Sequence, residues 1–146
     1  MNLNKFLLIS LLQQFSFVMT ELKNLNKDID GMATYDYLVN HVADCIQNLD
    51  YITENLLRSD KTGQFLASSA RFLSSVDRET FNPWIGRLIE GAIEKDRERR
   101  YIGSLLEAIW GKDYKERALT LKDEDDNFRR IFKRLYPQEA GIEVMI

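Results

Sequence analysis

The chain has 146 residues, 45% hydrophobic and 29% charged, with a formal net charge of −3 and a pI near 5.3. That composition belongs to a folded, water-exposed domain; it excludes a disordered or fully membrane-embedded chain, and it offers no global attraction to nucleic acid or anionic lipid. A single cysteine, Cys45, excludes an internal disulfide and fits a reducing, cytoplasmic setting.

Positions 1–19 contain one lysine followed by an apolar run, a pattern that invites comparison with a signal peptide. Gln13 and Gln14 interrupt the run, no small-residue cleavage site follows it, and it falls short of the ~18 apolar residues a spanning helix needs. Leu8, Leu11, Phe15, Val18, Leu22, Leu25 and Ile29 step alternately by three and four, which is a heptad seam. Ile9, Leu12 and Met19 widen the seam, so the spacing predicts a bundle helix covered on more than one side. Asp30 and Gly31 mark a turn. A second helix is predicted from about Thr34 to Ser59, with Leu38, Val42, Cys45, Leu49, Ile52 and Leu56 on its seam. Two such helices joined by a short turn should pack as a long antiparallel hairpin of about 40 Å at the ~1.5 Å helical rise, with a far end that projects or pairs with a second copy.

The stretch 59–63 makes another turn, after which Gln64 to Val76 reads as a helix with Phe65, Leu66, Phe72, Leu73 and Val76 inward beside the small Ser68, Ser69 and Ala70. Asp77 to Phe81 is a connector. The central stretch then runs from Asn82, a preferred N-cap, through Pro83 at the first helical position, to a glycine stop at Gly111. Ile85, Leu88, Ile89, Ala92 and Ile93 form one apolar stripe, and Ile102, Leu105, Leu106, Ile109 and Trp110 form another. The second stripe is rotated from the first, so the helix either serves two packing partners or breaks near Arg97 to Tyr101. Tyr114, Ala118 and Leu121 suggest a short helix. The acidic run Asp123 to Asp126 precedes a last helix carrying Phe128, Ile131, Phe132, Leu135 and Tyr136 and ended by Pro137. The predicted class is all-α: a single-domain bundle of five to seven helices over 1–136, with a C-terminal tail, 137–146, whose Ile142, Val144 and Ile146 either dock or stay free. No internal repeat is evident in the sequence.

Asp123, Asp125 and Asn127 match the first ligand positions of a calcium loop, but Phe128 stands at its turn glycine and Arg134 at its bidentate glutamate. Gly111 and Lys112 lack the rest of a phosphate loop, since Leu106 and Asp113 occupy its other key positions. His41 is the only histidine; with Cys45 it has ligand spacing on a helix, yet two more ligands would be needed, and acid–base work would require a partner such as Asp44. These absences predict a protein without metal, cofactor or catalytic residues.

Binding surfaces remain. Gly86, Gly91 and Gly103 each cost about 1 kcal/mol in a helix interior, which points to tight packing, a helix end, or a partner lying on that face. Gly86, Gly91, Trp84 and Trp110 are therefore candidate partner-contact residues. The charged run Glu94 to Arg100 offers helical pairs between Asp96 and Arg100 and between Glu94 and Arg97. Arg97, Arg99 and Arg100, together with Arg129, Arg130, Lys133 and Arg134, would make a basic face for phosphates if the two clusters meet, with Tyr101 or Tyr136 available for stacking. The expected role is a non-enzymatic protein-interaction module or accessory subunit that binds a protein partner or itself. The alternative is an auxiliary subunit for RNA or single-stranded DNA, and no membrane association is expected.

Overall fold

The computed structural model describes residues 2–138; Ile142, Val144 and Ile146 of the tail lie outside them. Among the described residues the chain is an all-α bundle of seven helices with no strand: α1 Leu3–Asn24, α2 Met32–His41, α3 Leu49–Ser59, α4 Gln64–Lys95, α5 Gly103–Trp110, α6 Ala118–Glu124 and α7 Asp126–Leu135. The apolar stripes of α3, α4, α5 and α7 meet in one core. Both stripes of the central stretch are buried, together with Leu38, Leu49, Ile52, Leu56, Leu66 and Leu73 and with Phe128, Ile131 and Phe132. Trp110 packs edge-on against Phe128, at 5.2 Å between ring centroids, and its Nε1 donates to Asp125 Oδ2 at 2.9 Å.

Three helix-to-helix corners share one device. Asp28 accepts hydrogen bonds from the backbone N–H groups of Asp30, Gly31 and Thr34; Asp60 accepts from those of Thr62, Gly63, Phe65 and Leu66; Asp96 accepts from those of Arg100, Tyr101 and Ile102. Each buried carboxylate thus satisfies donors that the following helix or loop would leave orphaned. The residue three positions after each aspartate has positive φ: Gly31 at 94°, Gly63 at 89° and Arg99 at 60°. The corners stand in a row, because a Cβ on Gly31 would lie 3.0 Å from Asp60 Cβ, and one on Gly63 would lie 3.0 Å from Asp96 Cβ. The sequence shows no repeat by period, but the structure shows this recurrent corner; its trace in the chain is the shared spacing of Asp28 to Gly31 and Asp60 to Gly63.

Several boundaries differ from the sequence expectations. The predicted helix Thr34–Ser59 is two helices, α2 and α3, joined through one 3-10 turn at Ile46–Asn48. At the junction Asn40 and His41 fold back onto the carbonyl oxygens of Asp36 and Tyr37, each at 2.9 Å, a side-chain competition that favours helix ends. The seam survives the break because Leu38, Cys45, Leu49, Ile52 and Leu56 all still point inward. The helix starting near Asn82 begins instead at Asp77, where α4 kinks (φ −164°, ψ 95°) and the carboxylate caps Thr80 through its N–H at 3.2 Å and its hydroxyl at 2.7 Å. Pro83 therefore sits inside the helix rather than at its first position. The central stretch does break, between Lys95 and Gly103. Asp96 turns its carboxylate to backbone N–H groups there, which replaces the expected helical pair with the Arg100 side chain.

Only the inner end of α1 is held by the bundle. Leu22 and Leu25 are buried and Val18 and Met19 are partly so. Side chains of α3 take up the carbonyls at this end: Tyr51 Oη donates to Leu22 O at 3.0 Å and Asn55 Nδ2 to Leu25 O at 2.8 Å. Ile29, expected on the seam, is exposed.

Candidate interaction surfaces

Beyond Val18 the outer part of α1 stands clear of the bundle. Leu3, Phe6, Leu7, Leu8, Ile9, Leu11, Leu12, Phe15 and Phe17 are all exposed, Leu3 to 72% and Phe15 and Phe17 to 65% each. From Asn2 to Thr20 the one charged side chain is Lys5. The helix is started by Asn2, whose side chain accepts from Asn4 N at 3.2 Å. Leu8, Leu11 and Phe15 continue outward the same seam that Leu22 and Leu25 bury against α3. Where α1 leaves the bundle, Ser10, Gln13, Gln14, Phe17, Val18 and Asp44 line an open cleft of ≈ 600 Å³. No helix among the described residues is long and apolar enough to cross a membrane.

The four partner-contact candidates divide. Gly91 is buried, and a Cβ there would run into Leu57 Cδ2 and come within 3.2 Å of Leu66, so this glycine lets α3 approach α4 inside the bundle. Trp110 is likewise buried and hydrogen-bonded within the chain. Both are corrected to internal packing roles. Gly86 is half-buried with nothing within 4 Å of a built Cβ, so no close approach explains it; its carbonyl accepts weakly from Asn127 Nδ2 at 3.4 Å. Trp84 is half-buried, packs edge-on against Phe81, and donates from Nε1 to Asp50 Oδ1 at 2.9 Å.

The two basic clusters do meet. Arg97, Arg99 and Arg100 lie exposed on the loop between α4 and α5 rather than on a helix. Arg99 Nη1 donates to the backbone oxygen of Arg134 at 3.1 Å, and Arg134 Nη1 donates to Ile93 O at 2.5 Å, which anchors the end of α7 beside that loop. Part of the charge is spent locally: Arg100 pairs with Glu98 at 2.6 Å and Arg129 pairs with Asp126. Lys133 is exposed and Arg130 half-buried. Lys61, Thr62, Arg97, Arg100 and Tyr101 line a cleft of ≈ 260 Å³, and Lys61 reaches it only because consecutive corners stand side by side. No spacing in the sequence could have joined Lys61 to this group. Tyr136 is engaged elsewhere, with its Oη 3.1 Å from Tyr114 Oη and its ring 4.8 Å from that of Phe132.

His41 stacks on Tyr37 at 4.2 Å and donates from Nδ1 to Tyr37 O, while Nε2 lies 4.0 Å from Glu21 Oε2 rather than paired to the sequence-near Asp44. Cys45 is buried, and burial pushes its thiol up to about 11. Of the two acids at calcium-loop spacing, Asp123 lies in the last turn of α6 and Asp125 is the N-cap of α7, accepting from Phe128 N at 3.1 Å; Asp126 lies in the first turn of α7.

Comparisons with protein-family models, with curated proteins and with solved structures find no match.

Proposed function

We propose that the protein is a non-enzymatic interaction module, an accessory subunit that joins a larger assembly through the outer part of α1. The observation that supports this is the bare apolar helix itself. Monomers rarely expose contiguous apolar patches beyond about 300–600 Å², and nine large side chains here stand in water on one helix. A helix apolar on most of its sides has a cover in the working state. The bundle does not need α1 beyond Val18, since its core closes without it. This role calls on no cofactor, and the single buried thiol suits a cytoplasmic setting.

The test compares the intact chain with the double variant Leu8→Glu, Phe15→Glu, both purified from cells that naturally make the protein. The intact chain is expected to emerge with a companion polypeptide in fixed stoichiometry, which includes the case of a second copy. The variant is expected to emerge alone with unchanged thermal unfolding. An unaccompanied monomer in both preparations would overturn the proposal.

A second reading, an RNA- or single-stranded-DNA-binding auxiliary subunit, is favoured by one observation: the Arg99 to Arg134 contact that joins the two basic clusters. Binding of a mixed single-stranded oligonucleotide should then weaken steeply as salt rises and be lost in Arg97→Ala with Lys133→Ala. Absence of binding at low salt removes it.

A further inference from the structure

We infer that the cover of α1 is a second copy of the same helix, laid antiparallel so that the outer parts of two α1 helices form a symmetric pair. This inference rests on reading α1 as the interaction element and names the partner that element takes.

Area is the first argument. The exposed fractions of the large apolar side chains from Leu3 to Phe17 amount to on the order of 1,000 Å², at about 150–250 Å² for a whole side chain. A stable interface buries about 800 Å² from each partner, which is of the order of the apolar area this helix leaves uncovered around its circumference. The second argument is charge. A helix that lies on a lipid surface carries lysine and arginine on its polar face, whereas here Lys5 is alone among positions 2–20. A surface with almost no charge is complementary to itself. The third is register: Leu8, Leu11 and Phe15 keep the three-four spacing of a coiled-coil seam, and no other element among the described residues fills it.

Geometry selects the direction. Each bundle hangs from the inner end of its α1, so a parallel pair would bring two bundles to one place. An antiparallel pair puts them at opposite ends and matches the free segment with itself. With Leu11 close to the two-fold axis, Leu8 of each copy lies opposite Phe15 of the other, a self-complementary contact of the kind a closed dimer requires. The tip of each helix then reaches the level at which the other leaves its bundle, beside the cleft at Phe17 and Asp44.

The experiment is sedimentation equilibrium on the full chain from micromolar to millimolar concentration, with oxidative cross-linking of Leu11→Cys and, separately, Leu3→Cys. A concentration-dependent dimer is expected, abolished by Leu8→Glu with Leu11→Glu at unchanged thermal unfolding, since both side chains are exposed and the bundle folds without them. Leu11→Cys, near the axis, should cross-link efficiently. Leu3→Cys should not, because the two tips are about 25 Å apart at a ~1.5 Å rise per residue. A monomer throughout would overturn the inference, as would a Leu3→Cys cross-link at the rate of Leu11→Cys, or a monomer that instead binds phosphatidylcholine vesicles through α1. A monomer that still co-purifies with a different polypeptide would overturn self-pairing and leave the interaction module standing.

Discussion

The carboxylate of Asp28 holds Thr34 twice, accepting from its hydroxyl at 2.6 Å and from its backbone N–H at 2.8 Å. Asn55 Nδ2 completes the group by donating to Thr34 Oγ1 at 2.8 Å, so the first corner is tied to α3 through one threonine. Burial pushes the Asp28 carboxyl up, but the hydrogen bonds from Thr34, Gly31 and Asp30 outweigh it and hold the group below the ordinary carboxylate range. A folded-state value lower than the unfolded one contributes stability above the unfolded value of about 3.9, and that contribution is lost as pH falls through the folded value. Asp28→Asn should therefore unfold at lower urea than the parent near pH 7, by about 1–3 kcal/mol for one disrupted buried group. The gap between the two proteins should close below pH 4. Parallel urea midpoints from pH 7 to pH 2.5 decide it; a gap that stays constant would show that the charge on Asp28 contributes nothing.

Gly63 and Gly86 should respond to alanine with opposite signs. At Gly63, φ is 89° and a Cβ would meet Asp96 Cβ at 3.0 Å and Ala92 O at 3.1 Å, so Gly63→Ala is expected to cost about 2 kcal/mol or more from left-handed strain and crowding. At Gly86 the helix is regular and the space is open, so Gly86→Ala should stabilise by about 0.5–1 kcal/mol through helix propensity. Thermal unfolding of the two variants measures both. Gly86→Ala would also report on partner contact: a stabilised variant that loses an associated polypeptide would mark that face as a binding surface.

Cys45 should be slow to react. Its thiol is buried and pushed up to about 11, so at pH 7.5 almost none is thiolate and reagent must wait for local opening. Modification by an aromatic disulfide reagent is expected to proceed at a small fraction of the rate seen in 6 M urea, and rapid stoichiometric labelling of the native protein would contradict the packing around residues 42–49.

Lys95 ends α4 by donating its ammonium to the backbone oxygens of Leu57 and Asp60, which satisfies carbonyls at the close of α3. Burial lowers its pKa, with Asp60 and Glu94 opposing. Lys95→Met keeps the apolar stem and removes the donor, so a loss of about 1–3 kcal/mol is expected from the unpaired carbonyls. Native-state hydrogen exchange should show that loss first in the last turn of α3 and in the corner at Asp60; exchange rising uniformly across the bundle would argue against this anchoring.

The parts of this protein legible in the sequence are those whose cause is local. The three-four spacing of Ile85, Leu88, Ile89, Ala92 and Ile93 makes a helix with an inward stripe whatever surrounds it, Gly111 stops α5 because its φ of 98° suits a residue without a side chain, and Asp125 starts α7 because its carboxylate reaches Phe128 N. The break in the central stretch was legible as a rotation between its two stripes, though only as one of two possibilities. Tertiary structure decided the rest. Whether the seam of α1 is filled depends on what packs beside it: Tyr51 and Asn55 of α3 reach only its inner end, so Leu22 and Leu25 are buried while Leu8, Leu11 and Phe15, identical in pattern, are bare. Gly91 and Gly86 look alike in the chain, and only the arrival of Leu57 from α3 separates them. Likewise Asp28 carries no signal in the chain, Asp60 is one residue of a polar turn and Asp96 reads as half of a helical pair with Arg100, until the corners close and the three carboxylates become buried acceptors; Arg99 meets Arg134 because Asp96 turns the chain there. Periodicity records the face an element presents; what covers that face is set by the placement of every other element, which no local pattern contains.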